Sequence, residues 1–268
     1  MPIVRIGPKL VYFAHVPKCA GSSVEDYLHD RFGALALVDR KYISVPPDLR
    51  WTRSSPQHVD WAALARMFPA DFFDACFAVV RHPLDRAVSA FRFQAEVEGT
   101  VPEGIGFGDW LQAEAAARQG DPYRSDNHSR PQSDFLPPVG GALPCTIFHM
   151  EHGLDALIPY FDALAGVSAG PRALRHTNKA GHNTAGGARR QIGEIKPDAA
   201  DRALVAEIYS ADFARLGYHP DQRAPLAPAP ALSAQVIAQA TAERARAQRP
   251  LWKLADKIAR RLRRWQWE

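Results

Sequence analysis

Cysteine is scarce in this sequence, with only Cys19, Cys76 and Cys145 among 268 residues. The three lie far apart and form no CxxC pair, and the ten histidines include no HExxH motif. Since these patterns are the usual sequence signs of a zinc site, we expect no metal cofactor. Cys76 and Cys145 lie in apolar segments and are interpreted as ordinary core residues.

Long apolar runs are also missing, since no stretch of about 18 apolar residues occurs. Residues 1–17 lack the basic start, long apolar middle and small-residue cleavage site of a signal peptide. Hydrophobic residues make up 46% of the chain and charged residues 23%, which is typical of a globular protein. We therefore expect a cytoplasmic protein, either free or peripheral on the cytoplasmic face of a membrane.

A Walker A loop is absent, because the pattern GxxxxGK[ST] occurs nowhere, and this disfavours an ordinary kinase or NTPase. An excess of positive charge is absent from most of the chain as well. Residues 243–268 hold nine Lys/Arg and three Asp/Glu, which leaves 24 Lys/Arg against 26 Asp/Glu elsewhere. The basic character belongs to the tail, so we predict no nucleic-acid partner.

Candidate strands alternate with candidate helices along the first 220 residues. Apolar, β-branched runs predict strands at 10–16, 76–81, 145–150 and 172–177. A helix is predicted at 22–32, capped by Ser22 or Ser23. Further helices are predicted at 61–68, 83–98, 107–118, 198–209 and 210–216, and another follows the strand at 145–150 and ends near residue 161. A polar, Pro- and Gly-rich stretch at 119–144 predicts a long surface loop. This alternation predicts an α/β domain with a central parallel sheet flanked by helices.

The composition changes after this domain, which we place at 1–220. Residues 221–232 form a Pro/Ala-rich linker, and 233–268 are predicted to form a basic amphipathic helical tail. Two interpretations of residues 250–267 stay open. The helix lies on an anionic lipid surface, or it packs back on the domain or on a second subunit.

The first motif is the sequence HVPKCAGSS, at positions 15–23, between a predicted strand and a helix. Such a loop points backbone N–H groups beyond the strand end, and the helix dipole adds partial positive charge there. Lys18 supplies a full charge, Gly21 lets the backbone approach an anion, and the serines offer hydroxyl donors. The segment therefore predicts a phosphate or phosphosulfate site formed by Pro17, Lys18, Cys19, Ala20, Gly21, Ser22 and Ser23.

The second motif pairs Arg81, at the end of a buried strand, with Ser89, two turns into the next helix. An arginine and a serine so placed can clamp one phosphate at the carboxyl edge of the sheet, where ligands of open α/β sheets bind. Arg86, between them, is interpreted as a structural ion-pair partner on the helix surface.

The two motifs, in this order, resemble those of sulfotransferases that use 3′-phosphoadenosine 5′-phosphosulfate (PAPS), most closely the carbohydrate and heparan-sulfate O-sulfotransferase branch. The first resembles the family's 5′-phosphosulfate loop, and the second its R-x-P-x-x-R-x-x-S motif for the 3′-phosphate. Looser likenesses at Arg130–Leu136, Glu151, Asn178-Lys179, Asp212-Phe213 and Gly217-Tyr218 extend the resemblance from Leu10 to Tyr218. It implies a P-loop NTPase-like fold, PAPS as donor with 3′,5′-ADP as product, no metal, and a hydroxyl acceptor, with a carbohydrate favoured.

The resemblance also suggests which residues are catalytic. Lys18 is expected to stabilise the negative charge on the phosphate oxygen that leaves sulfur. His58 is assigned as the base, because SPQHVDW resembles the catalytic-histidine region of the heparan-sulfate 2-O branch and imidazole titrates near neutrality. His15 is expected to orient the loop. Cys19 is interpreted as a small side chain that fits, although a thiol beside Lys18 at a helix start can also be acidic.

Two further segments are expected at the edge of the site. One is a basic group that either closes over the nucleotide or is a solvated face, and it consists of Arg172, Arg175, Lys179, Arg189 and Arg190. The other is residues 120–141, with Arg130 and Gln132, which are expected to form the wall of the acceptor site. The alternative function is a non-catalytic nucleotide-binding module tethered to a membrane by its tail. An atypical kinase is a third interpretation, opposed by the missing Walker A loop.

Overall fold

The structure, a computed structural model, describes residues 1–168, 170–174 and 191–229. Its strands are β1 (Ile3–Ile6), β2 (Lys9–Ala14), β3 (Ala75–Val80) and β4 (Cys145–His149). Its α-helices are α1 (Gly21–Phe32), α2 (Trp61–Met67), α3 (Pro83–Phe93), α4 (Phe107–Ala117), α5 (Leu157–Ala165), α6 (Ala199–Ile208) and α7 (Ser210–Leu216). The predicted tail helix at 233–268 lies outside the described residues.

The four strands form one sheet in the order β1-β2-β3-β4. β2, β3 and β4 run parallel, with Ala14 opposite Ala78 and Val80 opposite His149. β1 pairs antiparallel with β2 through a tight turn at Gly7, whose φ of +59° suits glycine. The predicted central parallel sheet is formed by β2, β3 and β4, and β1 adds an antiparallel edge strand that was not predicted. The three strands predicted before residue 150 are confirmed within two residues.

Helices cover both faces of the sheet, because successive side chains of β2 point to opposite sides. On one face Phe13 stacks on Phe77 at 4.7 Å, and Phe77 meets Phe161 of α5 at 5.1 Å. On the other face Tyr12 packs against Trp61 of α2 at 6.2 Å. The core is thus a helix–sheet–helix sandwich, and the carboxyl ends of three parallel strands share one edge.

Several helix predictions need correction. The predicted helix at 83–98 is α3 followed by one π-helical turn at Gln94–Glu98. Neither Ser22 nor Ser23 caps α1, since the residue before the helix is Ala20 and no side chain caps it. Residues 172–174 are not in a strand, and the rest of the strand predicted at 172–177 lies outside the described residues. In the described residues, no helix is both long and apolar enough to span a membrane.

The stretch 119–144 is not the surface loop that its composition predicts. It contains 3-10 turns at Arg124–Asn127 and Gln132–Phe135, and four of its polar side chains are buried, namely Asn127, His128, Ser129 and Gln132. Buried polar groups are generally hydrogen-bonded, and Gln132 here bonds the Arg81 backbone, Asn127 the His58 carbonyl and Ser129 the Glu114 carboxylate.

Candidate active site

A cleft of about 480 Å³ opens where β2, β3 and β4 end. Of the residues predicted for the site, it is lined by Lys18, Ala20, Gly21, Ser22, Ser23, His58, Arg81 and Ser89. Pro17 and Cys19 are buried and do not line it. The structure therefore brings both motifs and the predicted base to one cavity, although Lys18 and Ser89 are 71 positions apart in the chain.

The loop after β2 has an unusual backbone. Lys18 and Ala20 both have positive φ, at 67° and 62°, which is rare for residues other than glycine. Such residues persist where the surrounding structure fixes them, often at ligand sites. No side chain caps α1, and the Ser23 N–H donates to the Ala20 carbonyl at 3.0 Å. The N-terminus of the helix lies at the cleft, where Ala20, Gly21, Ser22 and Ser23 line the wall. The geometry suits an anion at this helix N-terminus.

Gly21 is needed for a reason that differs from the one expected. A Cβ added at Gly21 would lie 1.6 Å from Nε2 of His15, so the imidazole occupies the space that a side chain would take. His15 is itself held by Glu25 of α1, whose Oε1 lies 2.7 Å from Nδ1. The expected role of His15 in orienting the loop agrees with these contacts, because its ring packs under the start of α1.

Lys18 carries its charge in a largely apolar setting. Its Nζ lies 3.6 Å from the centre of the Phe93 ring, a cation–π contact. Burial lowers the pKa of Lys18 to about 8, and the nearby charge of Arg81 also lowers it, while that of Glu98 opposes the shift. Within the described part of the chain, no carboxylate lies within 4.0 Å of the Lys18 ammonium or the Arg81 guanidinium. Two cations that have no ion-pair partner in the described part of the chain thus line one cleft, and an anionic ligand would balance their charge.

Arg81 is fixed through its backbone by Gln132. The Gln132 Oε1 atom accepts from the Arg81 N–H at 3.0 Å, and its Nε2 donates to the Arg81 carbonyl at 2.8 Å. Asp212 in turn accepts from the backbone N–H of Gln132 at 2.8 Å. Gln132 was expected in the acceptor wall, and that prediction was wrong, because the side chain is fully buried and supports the arginine.

Arg86 is buried, so its assignment to the helix surface was wrong. Its Nε donates to the Pro17 carbonyl at 3.0 Å, and its NH2 group donates to the His128 carbonyl at 3.1 Å. The guanidinium therefore joins the loop after β2 to the 124–128 segment. Its role is structural, as expected, but among the described residues it bonds backbone carbonyls and forms no ion pair.

His58 ends a 3-10 turn at Pro56–His58 and contacts a carboxylate that the sequence motifs did not indicate. Its Nδ1 lies 2.7 Å from Oδ2 of Asp126. Burial favours the neutral acid at Asp126, but the charge and hydrogen bond of His58 outweigh it, and the pKa of Asp126 lies well below its ordinary value. Asp126 lies 68 positions from His58 in an irregular segment, so no local pattern reveals the pair.

Two further imidazoles surround His58. The His15 ring lies 4.8 Å away and the His128 ring 5.2 Å away, both edge-on. Burial lowers the pKa of His15, and it lowers the pKa of His128 well below the ordinary value, with the nearby His58 and Lys18 adding to the effect. Both rings are therefore neutral near pH 7, and His58 is the imidazole of the three that pairs with Asp126.

The far end of the cleft is lined by a different set of polar residues. Arg40 and Asp26 form an ion pair at 2.6 Å, and Asp39 is hydrogen-bonded through its backbone to the Gln57 amide at 3.0 Å. Tyr42 and Ile43 complete this wall. These residues precede His58 in the chain. Of the stretch 120–141, which is predicted to wall the acceptor site, Asp126 and His128 line the same cleft.

Other residues expected near the site lie elsewhere. Arg130 pairs with Asp60 and Asp134 at 3.0 and 2.9 Å and does not line the cleft. Arg172 pairs with the buried Asp162 at 2.6 Å. The remaining members of the predicted basic group, Arg175, Lys179, Arg189 and Arg190, lie outside the described residues, as do Asn178 and Lys179 of the looser likeness.

The interpretation of Cys19 as an inert side chain agrees with its surroundings. Burial raises the pKa of its thiol to about 12. The Sγ atom lies 3.4 Å from Oε1 of Gln132, the same oxygen that receives the Arg81 N–H. Cys19 thus packs between the two motifs and is not the acidic thiol that its place in the loop also allowed.

The Glu151 and Tyr218 landmarks belong to the scaffold as well. Glu151 accepts from the His82 backbone N–H at 2.7 Å and from the Tyr218 hydroxyl at 2.8 Å. These contacts join the turn between β3 and α3 to Tyr218, which follows α7. Glu151 and Tyr218, which are far apart in the sequence, therefore both stabilise the backbone next to Arg81.

In a comparison with known proteins, a family model described as the Sulfotransferase family matches residues 3–219. The matched span includes every strand, every described helix and every residue that lines the cleft. No curated protein and no solved structure matches the chain.

Proposed function

The chain belongs to the sulfotransferase family and is thus a transferase of sulfo groups, and on that premise we propose that it uses PAPS as donor and the hydroxyl of a carbohydrate as acceptor. The observation that carries the proposal is the pair of cations in one cleft, Lys18 and Arg81, which have no ion-pair partner among the described residues and lie beside a helix N-terminus without a side-chain cap. PAPS has an anionic group at each end of its ribose, which such a pair matches.

The loop after β2 would hold the 5′-phosphosulfate. The first N–H groups of α1 would donate to it, and Lys18 would neutralise the charge that develops on the oxygen that leaves sulfur. We include in the proposal that the β2–loop–α1 unit is a P-loop-like fold. Its lysine precedes Gly21 and lies in the loop, whereas a Walker A lysine follows the last glycine.

Arg81 and Ser89 would hold the 3′-phosphate. The guanidinium offers a fork of donors that suits phosphate oxygens, and the hydroxyl of Ser89 adds a donor from α3. Both side chains are half-buried and line the cleft. Since the backbone of Arg81 is bound on both sides by Gln132, the arginine is positioned before any ligand arrives.

His58 would take the proton of the acceptor. In the transfer, the acceptor oxygen bonds to sulfur as the bond between sulfur and the phosphate oxygen breaks, and 3′,5′-ADP leaves. The Nε2 atom of His58 accepts the proton because Nδ1 is occupied by Asp126. This scheme assigns no step to a metal ion.

The acceptor would bind between His58 and the wall formed by Asp26, Asp39, Arg40 and Tyr42. Carboxylate, guanidinium and phenol groups of this kind hydrogen-bond sugar hydroxyls, which supports a carbohydrate. Ser55 and Gln57 lie on the same side, directly before the base in the chain.

The experiment that tests the proposal is sulfuryl transfer from radiolabelled PAPS to a panel of neutral sugars, anionic glycans, phenols and peptidyl tyrosine, with Lys18→Met as the inactive control. Label in a sugar product, lost in Lys18→Met, is the expected result. Label in a phenol or tyrosine product alone would replace the carbohydrate. Binding of PAPS without transfer to any class would favour the non-catalytic nucleotide-binding module.

A further inference from the structure

The carboxylate of Asp126 bridges two groups of the segment that carries the base. Its Oδ2 atom lies 2.7 Å from Nδ1 of His58, and its Oδ1 atom accepts from the backbone N–H of Ser55 at 2.5 Å. The side chain is largely buried, at 8% exposure, as is that of His58, at 14%. Both carboxylate oxygens therefore have hydrogen-bond partners. The Ser55 N–H sets the orientation of the carboxylate, because a backbone N–H can only donate.

The next residue strengthens the same link. The side-chain amide of Asn127 donates to the His58 carbonyl at 2.8 Å. The ring and the backbone of His58 are thus both held by adjacent residues of the 124–127 turn. A one-residue shift of this turn would break both contacts, so the pairing is specific.

The turn is held in a conformation that costs free energy. Ser125, Asp126 and Asn127 have φ values of 52°, 49° and 62°, three consecutive left-handed residues without a glycine. Each such residue costs roughly 1–2 kcal/mol, less for Asp and Asn. Backbone strain of this size is retained where the surrounding contacts require it. Here the strained turn places Asp126 against the His58 ring and Asn127 against the His58 carbonyl.

The 2.7 Å contact has the length of a hydrogen bond. His58, Asp126 and His128 also bring potential metal-ligating atoms within 4.8 Å of one another. Two ligands of one tetrahedral zinc ion, with bonds of about 2.0–2.1 Å, stand about 3.3 Å apart. The spacing of Nδ1 and Oδ2 therefore favours a shared proton.

We propose that Asp126 is the positioning residue of the base: it holds the proton of neutral His58 on Nδ1 and leaves Nε2 bare toward the cleft. This rests on the proposed function for the role of His58, but the tautomer itself does not depend on it. A neutral imidazole has one donor and one acceptor nitrogen, so fixing the proton on Nδ1 makes Nε2 the proton acceptor. His128, whose Nε2 lies 4.0 Å from the same carboxylate, is outside hydrogen-bonding distance.

The substitution Asp126→Asn separates this role from a structural one. Asparagine is tolerated in the left-handed region, so the turn is retained. The amide oxygen must face the Ser55 N–H, which places the NH₂ group against Nδ1. The imidazole can then only accept at Nδ1, and its proton moves to Nε2, as described for the equivalent substitution in serine-protease triads. Asp121→Asn is the matched control, because Asp121 belongs to the same stretch, its side chain is 46% exposed, and it pairs with Arg53 at 2.8 Å.

The test is a long-range ¹H–¹⁵N NMR correlation spectrum of the full-length protein labelled with ¹⁵N-histidine. It is recorded at alkaline pH with a chelator present, and the His58 signals are assigned by their loss in His58→Gln. Wild type and Asp121→Asn should show the proton on Nδ1, and Asp126→Asn should show it on Nε2. A proton on Nε2 in the wild type overturns the proposal without any variant, as does an unchanged tautomer in folded Asp126→Asn.

Two further measurements separate this proposal from the proposed function. Transfer by Asp126→Asn to a sugar acceptor should fall about 10²- to 10⁴-fold, the usual contribution of a general base, with 3′,5′-ADP binding not weakened. Transfer at the wild-type rate despite a moved proton would overturn the positioning role. Failure of wild type to bind 3′,5′-ADP would reject the donor assignment and leave the tautomer result standing.

Discussion

At the residue scale, the account depends on side chains whose charge is unusual for their surroundings. Lys18 is the clearest, since an ammonium beside the Phe93 ring has lost much of its hydration and has no carboxylate partner within 4.0 Å in the described residues. A group with a lowered pKa in a cleft is a common feature of functional sites. The protonation state of Lys18 should therefore be measurable through the pH dependence of the affinity for an anionic ligand.

We predict that the affinity for 3′,5′-ADP falls as the pH rises above about 8. The pKa of free Lys18 is lowered to about 8 by burial. A bound phosphate favours the charged ammonium, so binding takes up a proton once free Lys18 has lost its own, and Kd rises up to tenfold per pH unit. The ligand is already fully ionised there, since the second pKa of a phosphate ester is about 6.

Calorimetry between pH 7 and 10, in buffers of different ionisation enthalpy, measures both the affinity and the proton uptake. Burial and Asp126 raise the pKa of Glu98 to about 7, so that carboxyl titrates at the lower end of this pH range, below the pKa of Lys18. Lys18→Met should bind more weakly and show no dependence on pH above 8. A constant Kd in the wild type would mean that Lys18 does not contact the phosphate.

At the scale of elements, the sequence predicted what is local. The strands that precede both motifs are continuous apolar runs, and buried parallel strands are expected to read that way. β1 was missed because its four residues pair with β2 through a short turn, and no separate signal marks so short an edge strand. The antiparallel pairing follows from the hairpin and not from the α/β alternation.

The stretch 119–144 shows why the remainder of the site was not predicted. Its polarity suggested a surface loop, yet Gln132 and Asp126 are buried because each finds a partner far away in the sequence. Polar residues that are satisfied by tertiary hydrogen bonds look the same in a sequence as polar residues that face water. The two motifs and His58 could be identified from local patterns, but the groups that hold them could not.

Arg86 provides a test of how these elements are joined. Replacing it with methionine leaves the carbonyls of Pro17 and His128 without their donors, so we predict a loss of about 2–4 kcal/mol in the free energy of unfolding. Urea denaturation measures the change. Arg66→Met, at an exposed position on α2, is the control and should change stability by less than about 0.5 kcal/mol. Equal, small losses for both variants would show that Arg86 does not join the two segments.

At the scale of the whole molecule, charge is arranged locally. Outside residues 243–268 the chain holds 24 Lys/Arg against 26 Asp/Glu, so the domain has no large positive field to attract polyanions. The anion binding that we propose must then come from a few placed groups, which are Lys18, Arg81 and the start of α1. The linker at 221–232 and the tail at 233–268 stay predictions, as do both interpretations of the tail.

The central claim is that the cleft recognises a nucleotide with a 3′-phosphate, and titration of the protein with 3′,5′-ADP against 5′-AMP tests it most directly. Charge-assisted hydrogen bonds from Arg81 contribute about 1.5–3 kcal/mol, so we predict a preference of roughly 10- to 100-fold for 3′,5′-ADP. Arg81→Ala should remove the preference and leave 5′-AMP binding unchanged, whereas Arg66→Ala should keep it. Equal affinities in the wild type, or a preference that persists in folded Arg81→Ala, would contradict the account.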